Sequence, residues 1–226
     1  MKQGFVKVAS ATPRIRVADP VYNAQVICEQ AKEAAEHGAK IVVFPELCIT
    51  GYTCNDLFLQ ELLLEKAKEA LLTIAEETGQ LETLFLVGLP VDKDGRLYNV
   101  AAVLYRGRIL GMIPKKNIPM YAEFYEGRHF TPGEETVTEY RLGKQVIPFG
   151  SNLLFRCEEL PELILGCELC EDLWVAEPPS TSHALMGATV IANLSASNET
   201  VSKDDYRTLL IKASSARLLC GYIYTS

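Results

Sequence analysis

Long apolar runs, histidine and tryptophan are all scarce in this chain of 226 residues, which contains three histidines and one tryptophan. The aliphatic stretches are strand-length, and none approaches the roughly 18 apolar residues that a membrane-spanning helix needs. The first residues, MKQGF, lead straight into a strand-like segment without the apolar core and cleavage site of a signal peptide. These absences predict a cytoplasmic protein without a membrane partner.

Positive charge is also in deficit, with 22 Lys and Arg against 29 Asp and Glu and a formal net charge of −7. Because the basic residues are scattered, the chain offers little attraction to a polyanion, and we expect no nucleic-acid partner. Hydrophobic residues make up 48% of the chain, which is enough to bury a core and excludes intrinsic disorder. The seven cysteines are odd in number, and a chain of this length needs no disulfide staples, so we expect reduced thiols.

Segments with strand and helix periodicity alternate along the chain, and hairpins interrupt the alternation. The predicted strands are 4–10, 40–46, 84–91, 98–105, 109–113, 151–155, 163–170, 190–194 and 222–224. The predicted helices are 23–37, 55–78 (with one break), 183–187 and 203–219. This order favours an α/β fold, a layered sandwich with mixed sheets, over a purely doubly wound sheet. The sequence stops at Ser226 just as a strand begins, so we expect a piece of a longer protein.

Reactive side chains follow three of the predicted strands. Glu46 comes after the run Ile41–Phe44, Lys115 after the strand 109–113, and Cys170 closes the segment 163–170. The carboxyl ends of parallel strands are where function is most often found in α/β folds. A thiol needs a base and a positive neighbour to become a nucleophile, and a carboxylate and a lysine supply them.

Each of these three residues also has an ordinary structural interpretation. A glutamate after proline caps turns, a lysine after proline is usually solvated, and cysteine is commonly a small buried hydrophobe. A histidine is the other candidate base, but none of His37, His129 and His183 follows a predicted strand. A Cys-His pair is therefore unsupported, and the three strand ends together favour a catalytic interpretation.

Three segments carry a family resemblance: Phe44-Pro45-Glu46-Leu47 with Gly51-Tyr52, Pro114-Lys115 with the later Pro119-x-Tyr121-x-Glu123-Phe124-Tyr125-Glu126, and Cys170-Glu171-Asp172. They resemble the three catalytic segments of the nitrilase superfamily. The strings GYTCNDLF, PKKNIPMYAEFYEGRHF and CELCEDLW are similar to those of the glutaminase domain of glutamine-dependent NAD⁺ synthetases. The resemblance extends from about Phe5 to the end and implies a nitrilase-like α-β-β-α sandwich with mixed sheets.

The resemblance implies a role for each strand-end residue. Glu46 would be the general base, Lys115 the catalytic lysine and Cys170 the nucleophile that attacks the carboxamide of L-glutamine. Lys115 and a backbone N–H next to Cys170 would hold the oxyanion, ammonia would leave, and water would hydrolyse the thioester.

The glutamine-recognition positions implied by the resemblance are Tyr121, Ser197 and Lys203. Lys203 is Arg in some members, and Lys keeps the charge for the substrate carboxylate but loses the two-pronged geometry. Tyr52, Glu126 and Glu171 are expected beside the substrate, with Glu171 near its ammonium. Where the family has proline after Ser197, this chain has Asn198-Glu199.

The synthetase part of the family, with its Ser-Gly-Gly-x-Asp-Ser pyrophosphate loop, does not occur in these 226 residues. The resemblance implies that residues 1–226 form an incomplete glutaminase domain without cofactor or metal. ATP and Mg²⁺ would serve a C-terminal synthetase domain, the expected partner, which amidates nicotinic acid adenine dinucleotide. The family also implies a homo-oligomer.

Three alternatives remain. The first is a stand-alone nitrilase-family amidase or carbamoylase with the same three catalytic residues. The second uses Cys167-x-x-Cys170 as half of a metal site or as a redox pair, although zinc would need a second ligand pair at comparable spacing. The third is a non-catalytic interaction domain that has kept the fold.

Overall fold

Two β-sheets stack face to face with helices on the outer side of each, in a computed structural model that describes residues 4–226. The predicted domain, residues 1–226, therefore begins three residues before the described range. The two mixed sheets and their helical layers confirm the predicted α/β, nitrilase-like sandwich.

The first sheet has seven strands in the order β1-β2-β3-β4-β5-β7-β6. Its strands are β1 (Val8–Ser10), β2 (Ile41–Val43), β3 (Leu84–Lys93), β4 (Arg96–Tyr105), β5 (Arg108–Pro114), β6 (Thr138–Leu142) and β7 (Gln145–Phe149). The strands β1, β2 and β3 run parallel, β3–β4 and β4–β5 are antiparallel pairs, and β5 is parallel to β7.

The second sheet has four strands in the order β11-β10-β9-β8. Its strands are β8 (Leu154–Arg156), β9 (Ile164–Leu169), β10 (Val190–Leu194) and β11 (Gly221–Thr225). The strands β9, β10 and β11 are parallel, so their carboxyl ends meet at one edge, and β8 pairs antiparallel to β9.

The side-chain alternation of the strands divides the core into layers. On β2, Ile41 and Val43 pack between the two sheets, whereas Val42 packs on the helical side. The helices α1 (Pro20–Glu36) and α2 (Glu61–Glu77) cover the seven-stranded sheet, and α3 (Pro179–Leu185) and α4 (Lys203–Leu218) lie on the other. Among residues 4–226, no helix is both long and apolar enough to cross a lipid bilayer.

Most predicted elements are present with shifted ends. The predicted strand 4–10 was too long, since β1 has three residues. The predicted break in the helix 55–78 is confirmed, because a 3-10 segment (Tyr52–Leu59) precedes α2 and Gln60 between them is extended. The hairpin β6–β7 was missed, because Pro148 argues against a strand unless its position needs no N–H.

Gly88 on β3 fixes how the chain passes over this sheet after β2. A Cβ atom at Gly88 would lie 2.3 Å from the backbone N of Leu47 and 2.7 Å from the carbonyl O of Pro45. Both neighbours are backbone atoms, so they cannot rotate away, and only a residue without a side chain fits. The absence of a side chain at Gly88 therefore sets the position of Glu46.

Gly88→Ala is expected to cost about 3 kcal/mol of folding free energy through overpacking and to impair any function of Glu46. Gly221→Ala is the matched control, because its Cβ atom would have its nearest neighbour at 3.6 Å. Urea unfolding of both variants measures the effect. Equal midpoints for the two variants would contradict this account of the close approach.

Candidate active site

The three strand-end residues singled out in the sequence lie in one buried cluster. Glu46 lies three residues after β2, and Lys115 follows β5 in the same sheet. Cys170 follows β9 of the second sheet. The carboxylate Oε1 of Glu46 is 2.7 Å from Nζ of Lys115, and both side chains shift the pKa of the Cys170 thiol. Glu46 and Lys115 are thus in direct contact, and Cys170 lies close enough for both charges to act on its thiol.

Lys115 lies between two carboxylates. Its Nζ donates to Oε1 of Glu46 and to Oε1 of Glu126, each at 2.7 Å. Its side chain has no solvent exposure, and those of the two glutamates have 0% and 4%. A buried ammonium is stable only when its charge is paired, and here it has two partners. The cluster of Glu46, Lys115 and Glu126 therefore carries one net negative charge when all three are ionised.

Glu46 is held at both oxygens. Asn99, a buried residue of β4, donates its amide to Oε1 at 2.7 Å, and the backbone N–H of Ala196 donates to Oε2 at 3.0 Å. The backbone N–H of Glu46 itself donates to the carbonyl of Ser195 at 3.1 Å. The two sheets are thereby joined at the ends of β2 and β10.

The electrostatics of the cluster favour a proton acceptor at Glu46. Burial raises the pKa of its carboxyl to about 7, and the charge of Glu126 adds to this, against the opposing effects of Lys115 and Asn99. Burial alone would lower the pKa of Lys115, but the negative groups around it, Glu46 above all, hold it well above its usual value. Glu46 can therefore exchange a proton near neutral pH, while Lys115 stays an ammonium.

Cys170 is a buried thiol at a strained backbone position. Burial raises its pKa to about 12 and the charge of Glu46 contributes, while Lys115 and the N–H of Ala196 lower it. Its φ of +41° lies in the left-handed region, which is uncommon for residues with a side chain. Such strain is often found at functional sites. The resting thiol is neutral and needs a base to react.

An open cleft of about 800 Å³ borders this cluster at Glu126. Its lining includes the carboxylate of Glu126, the ring of Tyr52 and the loop at Ala196 and Ser197. The Tyr52 hydroxyl donates to Oε1 of Glu126 at 2.8 Å, and these are two of the three predicted neighbours of the substrate. A small amide entering the cleft would approach the cluster along this wall.

Of the residues predicted to recognise glutamine, Ser197 lines the cleft, and Tyr121 and Lys203 lie beside Phe124 of its lining. The hydroxyl of Tyr121 donates to Oε2 of Glu171 at 2.8 Å. Lys203 donates to Oδ1 of Asn198, and its Nζ lies 5.6 Å from the ring centre of Phe124 and 5.1 Å from that of Trp174. The positive charge of Lys203 is thus held between two aromatic rings.

Ser197 has a neighbour that the sequence did not suggest. The guanidinium of Arg207 on α4 donates to Oγ of Ser197 at 3.4 Å and to carboxylates of Glu199 and Asp204 at 2.6 and 2.8 Å. The departure Asn198-Glu199 thus supplies one partner each for Lys203 and Arg207. The pairing of Arg207 with Ser197 is visible only in the folded chain and not in the sequence.

Asn99 and Arg207 were missed in the sequence. Asn99 had a signal, because it is the single polar side chain among the otherwise apolar or aromatic residues 97–104 of β4. Arg207 had none, because a charged residue on an amphipathic helix is usually solvated.

The histidines have other partners in the described part of the chain. The ring of His37 contacts the carbonyl of Glu33, that of His129 contacts Asp56, and that of the buried His183 contacts the carbonyl of Ser151. No Cys-His pair is formed among residues 4–226.

The Cys-x-x-Cys interpretation is not favoured. Cys167 lies in the apolar layer between the two sheets, whereas Cys170 lies beyond the end of β9. Across residues 4–226, no three His, Cys, Asp or Glu side chains are grouped so as to hold a metal ion.

The sequence and the fold are similar to those of known proteins. The sequence profile of the carbon-nitrogen hydrolase family matches residues 7–223. The glutamine-dependent NAD(+) synthetase of Mycobacterium bovis is 41% identical over 225 residues, covering 100% of this chain and 33% of that protein. This chain therefore spans about a third of the length of the curated relatives that it matches.

Solved structures include a relative of the same name. The glutamine-dependent NAD(+) synthetase from Cytophaga hutchinsonii superposes with a TM-score of 0.87 at 30% identity, covering 97% of this chain and 35% of that one. An amidase from Nesterenkonia sp. superposes with a TM-score of 0.72 at 20% identity, covering 97% and 76%, and this likeness concerns the fold alone. The resemblance noted in the three motifs is confirmed, and because the profile match extends over nearly the whole chain, the chain belongs to the carbon-nitrogen hydrolase family.

Proposed function

We propose that this chain is a glutaminase that releases ammonia from L-glutamine, with Cys170 as nucleophile, Glu46 as general base and Lys115 as the cation that holds the oxyanion. The observation that carries the proposal is the fully buried ammonium of Lys115, bonded to Glu46 and close enough to lower the pKa of the Cys170 thiol. The names of the relatives, glutamine-dependent NAD(+) synthetases, support glutamine as the amide.

The reaction begins with the neutral thiol. Glu46 accepts the proton of Cys170 while the sulfur forms a bond to the carboxamide carbon, so the reaction needs no free thiolate, which the high pKa of the thiol disfavours. The developing oxyanion draws its stabilisation from Lys115 and from a backbone N–H next to Cys170. In a site without water, this attraction is stronger than in solvent.

The tetrahedral intermediate formed by this attack then breaks down to the thioester. The carbon–nitrogen bond breaks as Glu46 returns its proton to the leaving nitrogen, which departs as ammonia. Water attacks the γ-glutamyl thioester, Glu46 takes one proton of that water, and the carbon–sulfur bond breaks. The proton passes to the sulfur of Cys170, and glutamate leaves.

Glutamine is bound by groups around the cleft. The cations there are Lys203, held between Phe124 and Trp174, and Arg207 beside Ser197. They suit the α-carboxylate of the substrate, with Ser197 as a hydrogen-bonding group. Glu171, bonded by Tyr121, suits the α-ammonium. With this assignment, the predicted binding residues match both charges of one zwitterionic ligand, L-glutamine.

In the full reaction that we propose, the ammonia serves the ATP-dependent amidation of nicotinic acid adenine dinucleotide by a synthetase domain. ATP and Mg²⁺ belong to that domain, and the glutaminase uses no cofactor. The assembly is a homo-oligomer in the cytoplasm, as the family resemblance implies.

Steady-state hydrolysis of a panel of amides tests this substrate. The panel contains L-glutamine, L-asparagine, propionamide and an N-carbamoyl amino acid, with ammonia as the product measured. We expect L-glutamine to have the highest kcat/KM. A preference for propionamide or for the carbamoyl compound would contradict the glutaminase and favour the amidase or carbamoylase.

The pH dependence of glutamine hydrolysis follows from the pKa of Glu46. A general base must be ionised, so we expect kcat/KM to fall about tenfold per pH unit below the Glu46 pKa of about 7. Glu126→Gln removes a charge that raises this pKa while keeping an oxygen for Lys115, so the acid limb should move to lower pH. The matched control, Glu139→Gln on β6, should leave it in place. An acid limb that Glu126→Gln leaves unmoved or shifts upward would contradict the role of Glu46.

A further inference from the structure

Asp172 joins the segment that carries Lys115 to the segment that carries Cys170. Its Oδ1 accepts from the backbone N–H and the side-chain amide of Asn117, each at 2.8 Å. Its Oδ2 accepts from the N–H of Leu169 at 3.0 Å and of Lys116 at 3.4 Å. Asp172 as a residue is 1% exposed. Both oxygens are used, so this buried group is fully satisfied.

These four donors come from two different sheets. Asn117 and Lys116 follow β5 of the seven-stranded sheet, next to Lys115. Leu169 is the last residue of β9, directly before Cys170, in the four-stranded sheet. The strands β5 and β9 also contribute apolar side chains, among them Ile113 and Leu165, to the layer between the sheets, but such non-directional packing does not fix one strand end relative to the other as hydrogen bonds do. The carboxylate of Asp172 therefore fixes the Lys115 segment relative to the Cys170 turn.

The turn that Asp172 holds is the strained one. Cys170 has a φ of +41° and begins the 3-10 segment Cys170–Leu173. Strain of this kind persists only where the surroundings over-determine the conformation. Asp172 supplies that restraint by accepting the N–H of Leu169 within its own turn while it holds Asn117 across the sheets.

We propose that Asp172 is a positioning residue that sets the location of the Cys170 sulfur relative to Lys115 and Glu46. This inference rests on the proposed function. The hydrogen bonds of Asp172 go to Leu169, Lys116 and Asn117, so it acts on the thiol and the cation through the backbone that it holds. A displacement of about 1 Å at a reacting atom is enough to slow a reaction about 100-fold.

Asp172→Asn is the sharpest test, because it keeps the volume. Asparagine has one oxygen and one amide nitrogen, so whichever way it is oriented, its NH₂ faces two N–H donors. We expect kcat for L-glutamine to fall about 10- to 100-fold with KM changed less than about 3-fold. Asp94→Asn, in the exposed β3–β4 turn, is the control and should change neither. A KM that rises with kcat unchanged would overturn the proposal.

The rate of Cys170 alkylation by iodoacetamide, followed by mass spectrometry, separates positioning from simple loosening. If Asp172 positions the thiol beside its base and cation, Asp172→Asn slows alkylation, by about 10-fold on our expectation. If it merely closes the turn, the variant exposes the thiol and alkylation becomes faster. An unchanged or faster rate would therefore contradict the proposal.

Asn117→Ala is the second variant, which removes one donor and keeps the backbone N–H. We expect kcat to fall about 3-fold, and the double variant with Asp172→Asn should be little worse than Asp172→Asn alone, since both remove the same link between the two segments. Losses that add up in the double variant would contradict a shared link.

The failure of this proposal can be told from the failure of the proposed function. If Asp172→Asn slows alkylation in a chain that hydrolyses no glutamine, the positioning role stands and the glutaminase assignment fails. If the chain hydrolyses glutamine and neither variant changes the rate, the glutaminase assignment stands and the positioning role fails.

Discussion

Cys170→Ala is expected to lower the glutamine turnover of this chain on the order of 10⁵-fold, to the level of background hydrolysis. The sulfur is the only protein atom in the proposed mechanism that forms a bond to the substrate carbon, and removing a nucleophile of this kind costs about that much. Ammonia release under saturating L-glutamine measures the effect. The fold should persist, because alanine fits the same buried space.

Cys167→Ala is the matched control for this result. Cys167 lies three residues earlier on β9 and is fully buried between the sheets, so its loss should cost stability, about 1 kcal/mol, and leave turnover within about 3-fold. A chain that loses turnover with Cys167→Ala and keeps it with Cys170→Ala would contradict the assignment of the nucleophile.

Lys115→Met is expected to lower both turnover and stability. Its ammonium is proposed to hold the oxyanion, so turnover should fall at least about 10³-fold. The substitution also leaves the carboxylates of Glu46 and Glu126 buried without their shared cation, which costs about 3–5 kcal/mol. Calorimetry and ammonia release measure the two effects.

The loss of stability in Lys115→Met should depend on pH with a definite sign. In the unsubstituted chain, Lys115 lowers the pKa of Glu46. Without Lys115, the pKa of the Glu46 carboxyl in the folded state rises further above its value in the unfolded state. The folded state then binds the proton more tightly than the unfolded state, so the free energy of unfolding decreases as pH increases. The variant should therefore be less stable at pH 8 than at pH 6.

Lys66→Met is the control, because the Lys66 side chain on α2 is 44% exposed and pairs with Glu69, and its loss should cost less than about 1 kcal/mol. A Lys115→Met variant as stable as Lys66→Met at pH 8 would contradict the paired burial of Lys115.

The strand-end residues of the site could be predicted from the sequence because they follow local patterns. The run Ile41–Val43 is apolar on both faces, and such a strand is buried in a sheet with its end at the functional edge. The same reasoning located Lys115 and Cys170. The strand 190–194 was predicted to the residue, since it is a short apolar run between turn signals.

Other parts of the site depend on contacts between distant segments. The double pairing of Lys115 with Glu46 and Glu126 joins residues 69 and 11 positions apart, and no local pattern encodes either distance. The link from Asp172 to Asn117 spans 55 positions. Asn99 gave a local signal, a polar residue in an apolar strand, but its two carboxylate partners are defined only by the fold.

The most direct test of the account is the mass spectrum of this chain after incubation with 6-diazo-5-oxo-norleucine, an electrophile shaped like glutamine. We expect one covalent adduct, mapped to Cys170, whose formation is slowed by excess L-glutamine and abolished by Cys170→Ala. An adduct at Cys167, or an unlabelled chain that is folded and hydrolyses another amide, would contradict a glutamine-specific nucleophile at Cys170.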